Sequence, residues 1–405
     1  LDERTSAEKN TNQRPLRVAW LTYFPVEWLP NPPPQLANVP KEHPATWQRV
    51  LCDELQKRDD LDLHIIALRN SFPESFRFRR GNTTFHCIKT PRGMRSTSFY
   101  WLDTQLVAGE LKEIQPDLLH AWGTEFGSAA VAARLKYPAL VTMQGILTWL
   151  AKSFKLNFTH RLSQVLENGS LQKAHVVTCE SRFAVNYLHE HHPHLKVLQV
   201  EHAPNPIFSR VMRRVQGAPV RLLGVGGFDA GKGADIVVKA LDKFGDSLDF
   251  ELIWVGHRNP EFEEDLNLSE ALWKRVTFRH GLSPEDVAEE LSKATLFLHA
   301  ARADNSPNAV KEAVVAGVPV VATRTGGIPD YIFPGKNGLM FESGDVEDCY
   351  AKIKAALEHP LLGKGRVEEQ TLAEVRSYLS AETMAAKFMA AYRVALETDP
   401  RAKRV

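Results

Sequence analysis

Asp304-Asn-Ser-Pro-Asn-Ala-Val-Lys-Glu312, continuing through Ala313-Val-Val-Ala-Gly317-Val-Pro-Val-Val-Ala322 to Thr325-Gly-Gly-Ile-Pro-Asp330, is the stretch that decides the fold. Ser306-Pro307 marks a loop entering a helix, since proline suits the first helical turn. Val318–Ala322 is an apolar run short enough for a buried strand, and the glycine pair after it opens a second short helix. Loop, helix, strand and Gly-rich loop in this order belong to an open parallel sheet. Two helix N-termini can then face one crevice at the carboxyl end of the strands, where phosphates bind. Two carboxylates, Asp304 and Glu312, stand with seven residues between them.

Working outward, the same rhythm fills the chain. Apolar strand-like runs fall at Leu16–Phe24, Leu61–Leu68, Thr83–Lys89, Leu118–Trp122, Ala139–Gly145, Val176–Cys179 and Val197–Val200, separated by helical spacing. It restarts at Arg221–Val225, Phe250–Val255, Val276–Arg279, Thr295–His299 and Val318–Ala322. Strands alternating with helices predict parallel sheets covered on both faces, hence an α/β chain of two Rossmann-like, doubly wound domains. The expected divisions are a polar tail (1–14), a first domain (15–205), a linker (206–219) and a second domain (220–375). A C-terminal helical segment (376–405) would cross back onto the first domain. The run Glu368–Leu396 reads as helical throughout. Pro25–Pro44 is crowded with prolines and is far longer than an ordinary strand-to-helix turn.

A chain of 405 residues exceeds one hydrophobic core. Its formal charge of +1 selects neither nucleic acid nor an acidic partner. Locally, Arg69, Arg77, Arg79, Arg80, Lys89, Arg92 and Arg95 stand against Glu74 alone between 69 and 95. That is either a solvated face or a patch for anionic lipid or a phosphate-bearing acceptor. Cys52, Cys87, Cys179 and Cys349 match no metal or redox spacing and fit buried thiols. With no apolar signal core and no bilayer-length run, the Asn-x-Ser/Thr triplets at Asn82, Asn157 and Asn168 read as chance matches. The expectation is a cytoplasmic protein, at most peripheral to the inner face of a membrane.

Gly224-Val-Gly-Gly-Phe-Asp-Ala-Gly-Lys232-Gly233 follows a predicted strand and opens a helix. Glycines at Gly226 and Gly227 let backbone N–H groups approach an anion, and Lys232 brings a charge to the helix start. No Ser or Thr follows the lysine to ligate magnesium, so this is not a Walker A loop, and Asp229 breaks G-x-G-x-x-G. Asp304 alone is explained by favourable charge at a helix N-terminus. Glu312 is harder to set aside, because it stands among Ala, Val and Gly on a helix that should be buried.

Taken together, these motifs and the looser Pro116-Asp-Leu-Leu-His120 and Val141-Thr-Met-Gln-Gly145 resemble a retaining glycosyltransferase of family 4 with the GT-B fold. The closest correspondence runs from about Arg221 to Glu342. The resemblance implies transfer of a sugar from a nucleotide-diphosphate donor; the expected donor is UDP-linked first and GDP-linked second, and the Pro25–Pro44 loop with the basic 69–95 segment suggests a glycan or lipid-linked acceptor. Configuration would be retained, with no cofactor and no obligatory metal. It implies that Lys232 contacts the diphosphate, Glu312 the ribose and Asp304 the sugar hydroxyls. Backbone around Asn305, Ser306, Pro307 and Asn308 would help hold sugar and phosphate, with Gly326 and Gly327 near the diphosphate.

Three positions depart from the family pattern. Gly227 stands where an arginine is common, Asp304 where the first glutamate is usual, and Gln144 where a histidine normally touches the donor sugar. Gln144 can donate and accept hydrogen bonds but cannot titrate. Lys232, Asp304, Glu312 and His120 are the residues expected to carry the reaction. Gln144, His43 and Trp122 are candidate sugar or acceptor contacts, and Trp28 and Trp149 could stack on sugars. A packed structural histidine remains the competing reading of His120. Competing functions are a nucleotide-sugar epimerase on the same fold and a non-catalytic nucleotide-sugar-binding protein.

Overall fold

The computed structural model describes residues 14–41, 43–153 and 158–404. All but the last residue of the expected tail, and Asn157 of its triplet, lie outside the described residues. Two sheets form, one from each half of the chain. The first contains β1 (Leu16–Leu21), β2 (Leu61–Arg69), β3 (Phe76–Arg80), β4 (Thr83–Lys89), β5 (Leu118–Trp122), β6 (Ala139–Met143), β7 (Val176–Cys179) and β8 (Lys196–Gln199). Their order is β3-β4-β2-β1-β5-β6-β7-β8, parallel except for the antiparallel β3–β4 pair at the edge. The second contains β9 (Val220–Val225), β10 (Phe250–Val255), β11 (Val276–Arg279), β12 (Leu296–His299), β13 (Val320–Thr323) and β14 (Gly338–Phe341). It is parallel throughout, in the order β11-β10-β9-β12-β13-β14.

Both sheets are buried on both faces, as their near-continuous apolar strands require. Val18 and Trp20 of β1 enter one apolar cluster, while Ala19 and Leu21 enter the cluster on the opposite face. Leu222 and Leu223 of β9 divide in the same way. In each sheet the direction of strand addition reverses beside the first strand, between β1 and β5 and between β9 and β12. Such switch points leave a gap between diverging loops, and ligands settle there.

Two strands go beyond the sequence reading. In β3, Phe76 and Phe78 turn toward Phe72 and Phe85, while Arg77 and Arg79 face solvent. That strand lies inside the basic segment and changes its meaning. Arg69 is buried and paired with Glu27 at 2.8 Å, Arg77 bridges Glu110 and Glu113, and Arg95 meets Asp103 at 2.8 Å. The segment is thus no uninterrupted cationic face. β14, four residues long, is too short for periodicity to reveal. The proline-crowded loop is pinned down by Leu29, Leu36 and Val39, which sit in the core with two short 3₁₀ turns between the prolines. The four cysteines are free and buried.

The C-terminal helical run is two helices, not one. Glu369–Tyr378 packs on the second domain, where Val375 and Leu379 join its core. Ser380 then caps a new helix, Ala381–Thr398, by accepting the Thr383 N–H at 3.0 Å. This last helix lies on the first sheet. Met384, Phe388, Tyr392 and Ala395 complete the cluster around Trp20 and Trp122, and Asp399 accepts the Ala139 N–H at 3.0 Å. Fully burying Phe388 alone is worth about 1.5–3 kcal/mol. Among the described residues, no helix is long and apolar enough to cross a membrane.

Candidate active site

A crevice of about 460 Å³ opens where the switch point of the second sheet faces the first domain. One wall is built from the end of β9 (Val225, Gly226), the end of β12 (His299), Lys232 and the loop Ala303–Ala309. The other, from the first domain, carries His43, Trp47, Gln144, Gly145, Ile146, Trp149, Leu150 and Glu180.

Lys232 and Asp304 meet here. Nζ lies 2.8 Å from Oδ2, joining two loops 72 residues apart. Burial lowers the ammonium's affinity for its proton, but the Asp304 carboxylate and its hydrogen bond outweigh that, and Lys232 sits above the ordinary lysine range. Asp229 braces the turn by accepting the Lys232 backbone N–H at 2.9 Å. The helix Asn308–Val315 begins beside this pair with Pro307 at its N-cap and no side-chain cap, leaving its first N–H groups for another acceptor.

Glu312 stands in the second turn of that helix and is not among the residues lining the crevice. It has no hydrogen-bond or ion-pair partner among the described residues. Burial pushes its carboxyl up to about 8, with Lys311 acting in the opposite sense. The sign of the consequence is fixed. Between the ordinary value of 4.5 and about 8, the folded chain holds this proton and the unfolded chain releases it. Stability from this group is therefore complete below pH 4.5 and lost as pH rises through 8. Glu312→Gln should flatten the melting temperature between pH 5 and 8 relative to the parent chain, and parallel curves would refute the assignment.

Asn305 and Ser306 do something the sequence reading did not assign to them. Their side chains bridge the domains. Asn305 Oδ1 accepts from Ser181 Oγ at 2.8 Å, its Nδ2 donates to the Gln144 carbonyl at 2.9 Å, and Ser306 Oγ donates to Glu201 at 2.6 Å. Lys311, fully buried, reaches across to Glu180 at 2.9 Å and Glu201 at 3.3 Å, while His202 meets Glu180 at 3.1 Å. Glu180 is held below the usual carboxylate range, because His202 and Lys311 together outweigh its burial. Burial drives Glu201 the other way, and the Glu180 charge adds to it. Asp330 ties the same seam by accepting from the Arg182 N–H at 2.7 Å and from Gln199 at 3.0 Å.

The glycine pair after β13 serves this seam rather than the crevice. Gly326 has φ +51°, and a Cβ there would lie 1.8 Å from the Asp304 carbonyl oxygen. Gly327 donates to the Asn305 carbonyl at 2.6 Å, and a Cβ would strike Ser181. Neither lines the crevice, and Gly227 does not line it either, whereas Gly226 does.

His120 and Trp122 are corrections. His120 is fully buried, with Nδ1 3.0 Å from Tyr392 Oη and Nε2 2.6 Å from Thr142 Oγ1. Its ring lies between Trp20, Trp122 and Phe388. Burial holds the imidazole well below its ordinary value. It is a neutral packing residue beneath the last helix, out of reach of any substrate. Trp122 is in the same cluster. His43 and Gln144, by contrast, do line the crevice, with His43 kept below its usual range by burial.

Sequence reasoning missed His299, whose buried Nε2 has no partner and whose pKa burial pushes down to about 4. A polar residue ending a strand beside a switch point was the available signal. Trp47, Glu180 and Lys311 were missed too.

Residues 46–207 match the family model described as Glycosyltransferase Family 4, and residues 219–359 match Glycosyl transferases group 1. Sulfoquinovosyl transferase SQD2 of Arabidopsis thaliana is 25% identical over 335 residues, covering 75% of this chain. The chain spans 62% of that relative's length. Among solved structures, sucrose-phosphate synthase from Thermosynechococcus elongatus superposes with a TM-score of 0.75 at 16% identity, over 94% of this chain and 99% of that one. Anabaena Alr3699/HepE in complex with UDP and glucose gives 0.66 at 14% identity, over 94% and 100%.

Proposed function

Because the chain belongs to the family 4 glycosyltransferases and has their GT-B fold, we propose that it transfers a sugar from a UDP-sugar to an acceptor hydroxyl with retention of configuration. GDP-sugar is the second choice of donor. The observation that carries this reading is the Lys232–Asp304 pair at the switch point, beside an uncapped helix N-terminus and facing the first domain. That arrangement suits a diphosphate: one ammonium, unoccupied backbone N–H groups and a glycine turn.

In this mechanism Lys232 leaves Asp304 for the diphosphate, and Asp304 turns to the hydroxyls of the transferred sugar. Glu312 accepts or donates to the ribose. Gln144 meets the sugar from the first-domain wall. No side chain of the crevice is placed as a covalent nucleophile. The departing diphosphate itself takes the acceptor proton, and Lys232 with the helix N-terminus stabilises the charge that develops on it. None of these steps uses a metal. The acceptor is a glycan or lipid-linked hydroxyl on a cytoplasmic substrate. Contact with an anionic membrane through 69–95 would rest on Arg79, Arg80, Lys89 and Arg92, since Arg69, Arg77 and Arg95 are already paired.

The deciding experiment is a donor screen with nucleotides and nucleotide-sugars, by melting shift and then by release of free nucleotide. A stabilising shift with UDP and slow release from one UDP-sugar are expected. Stabilisation by GDP alone moves the reading to the second donor class, and conversion of a nucleotide-sugar without acceptor or release marks an epimerase. Binding without turnover across an acceptor panel means a non-catalytic binding protein.

A further inference from the structure

In the reading above the second-domain wall, with Lys232 and the helix Asn308–Val315, takes the donor, so the first domain is the acceptor side and its wall says what kind of acceptor fits. A phosphorylated acceptor needs cations or unoccupied backbone N–H groups. Among the described residues lining that wall there is no lysine or arginine. Lys232, on the opposite wall, is committed to the donor diphosphate in the reading above.

Three backbone donors on this side are taken by carboxylates of the chain itself. The Gly145 N–H donates to Glu125 Oε1 at 2.6 Å. One residue on, the helix Leu147–Ser153 begins, and its first N–H groups are occupied by one carboxylate: Leu147 donates to Glu167 at 3.3 Å and Thr148 at 3.2 Å. Thr124 and Thr148 hydroxyls hold that carboxylate in place. The N–H groups of Gly145, Leu147 and Thr148 are therefore occupied from within the chain, and the two carboxylates that occupy them repel a second anion.

What the wall does offer is aromatic area and neutral donors. Trp47 and Trp149 line it, with Trp149 backed by Phe183 at 4.7 Å and Trp47 lying parallel to His202. Trp47 Nε1 and Gln144 Nε2 are buried without partners, and so is Glu125 Oε2 behind Gly145. Unpaired buried donors and an acceptor beside indole faces suit a ring carrying hydroxyls.

We propose that the acceptor position takes an uncharged glycosyl ring stacked on Trp47 and Trp149, and that Glu125 and Glu167 exclude acceptors phosphorylated at that ring. This rests on the glycosyltransferase reading above and names the substrate class of the same site.

The test measures nucleotide release from the UDP-sugar giving the largest melting shift, with three acceptor sets. These are neutral hexosides, the same sugars as 6-phosphates, and diacylglycerol in mixed micelles, against a control without acceptor. Neutral hexosides should accelerate release at least about tenfold better than their phosphates. Trp149→Ala should raise the acceptor KM about tenfold, with Trp149→Phe recovering most of it. Glu125→Gln should narrow the gap between neutral and phosphorylated sugars, as a removed excluding element does. Preference for the phosphates, acceleration by diacylglycerol alone, or an unchanged KM in Trp149→Ala overturns the proposal. Release in the acceptor-free control keeps the two readings separable: if it is present, only this inference falls, and if no nucleotide-sugar is bound or hydrolysed, both do.

Discussion

Lys311→Met is expected to cost about 3–5 kcal/mol, because it removes one side of a buried ion cluster and leaves the other. In the parent chain the ammonium faces Glu180 and Glu201, all three lying in the seam between the domains. Without it, two buried carboxylates are left facing each other, with Ser306 bonded to one and His202 to the other. Methionine replaces the volume, so the loss reports charge rather than a cavity. Since the partners belong to different domains, the loss can appear in two ways. The calorimetric transition should move down or split, and small-angle scattering should show a larger radius as the domains part. Adding Glu180→Gln and Glu201→Gln to Lys311→Met removes the stranded charges and should restore most of the loss. An unchanged melting profile and radius for the single variant would mean that the cluster contributes nothing net to holding the seam.

Lys232→Ala should lower turnover by about 10²–10³-fold, equivalent to about 2.7–4 kcal/mol of transition-state stabilisation. The effect should be large here because Gly227 supplies no second cation. Lys232 is the only Lys or Arg among the described residues lining the crevice. The leaving diphosphate would face Asp304 with only backbone dipoles in support. Nucleotide affinity should fall with turnover, since the same ammonium serves ground and transition states. Lys232→Arg keeps the charge but replaces a compact ammonium with a planar fork, so only partial recovery is expected. Turnover within threefold of the parent in Lys232→Ala would remove Lys232 from the mechanism.

The two charges that meet in the crevice were readable because each lies in a short, contiguous motif. Lys232 stands at a glycine turn and helix start, and Asp304 at the entry to another, so local physics places both. His120 was misjudged for the opposite reason. Its position at a strand end suggested the cleft, but its ring partner Tyr392 lies 272 residues later. No local pattern announces a pairing at that distance. Lys311 was within reach: the reasoning that made Glu312 conspicuous on an apolar helix applies with equal force to its neighbour. Glu125 and Glu167 show the limit more sharply. Each is an unremarkable acid in sequence, and only the fold brings them onto the N–H groups of residues 145, 147 and 148.

The helix Ala381–Thr398 also sets an order in time. Trp20 donates to Tyr392 across 372 positions, and the cluster around it needs Met384 and Phe388. While the chain is being synthesised, the second sheet can assemble with its own helices, including Glu369–Tyr378. The first sheet emerges earlier yet keeps part of one apolar face open until the helix Ala381–Thr398 has been made. The domain made first is the one finished last, and it is in that interval that its exposed face would meet chaperones.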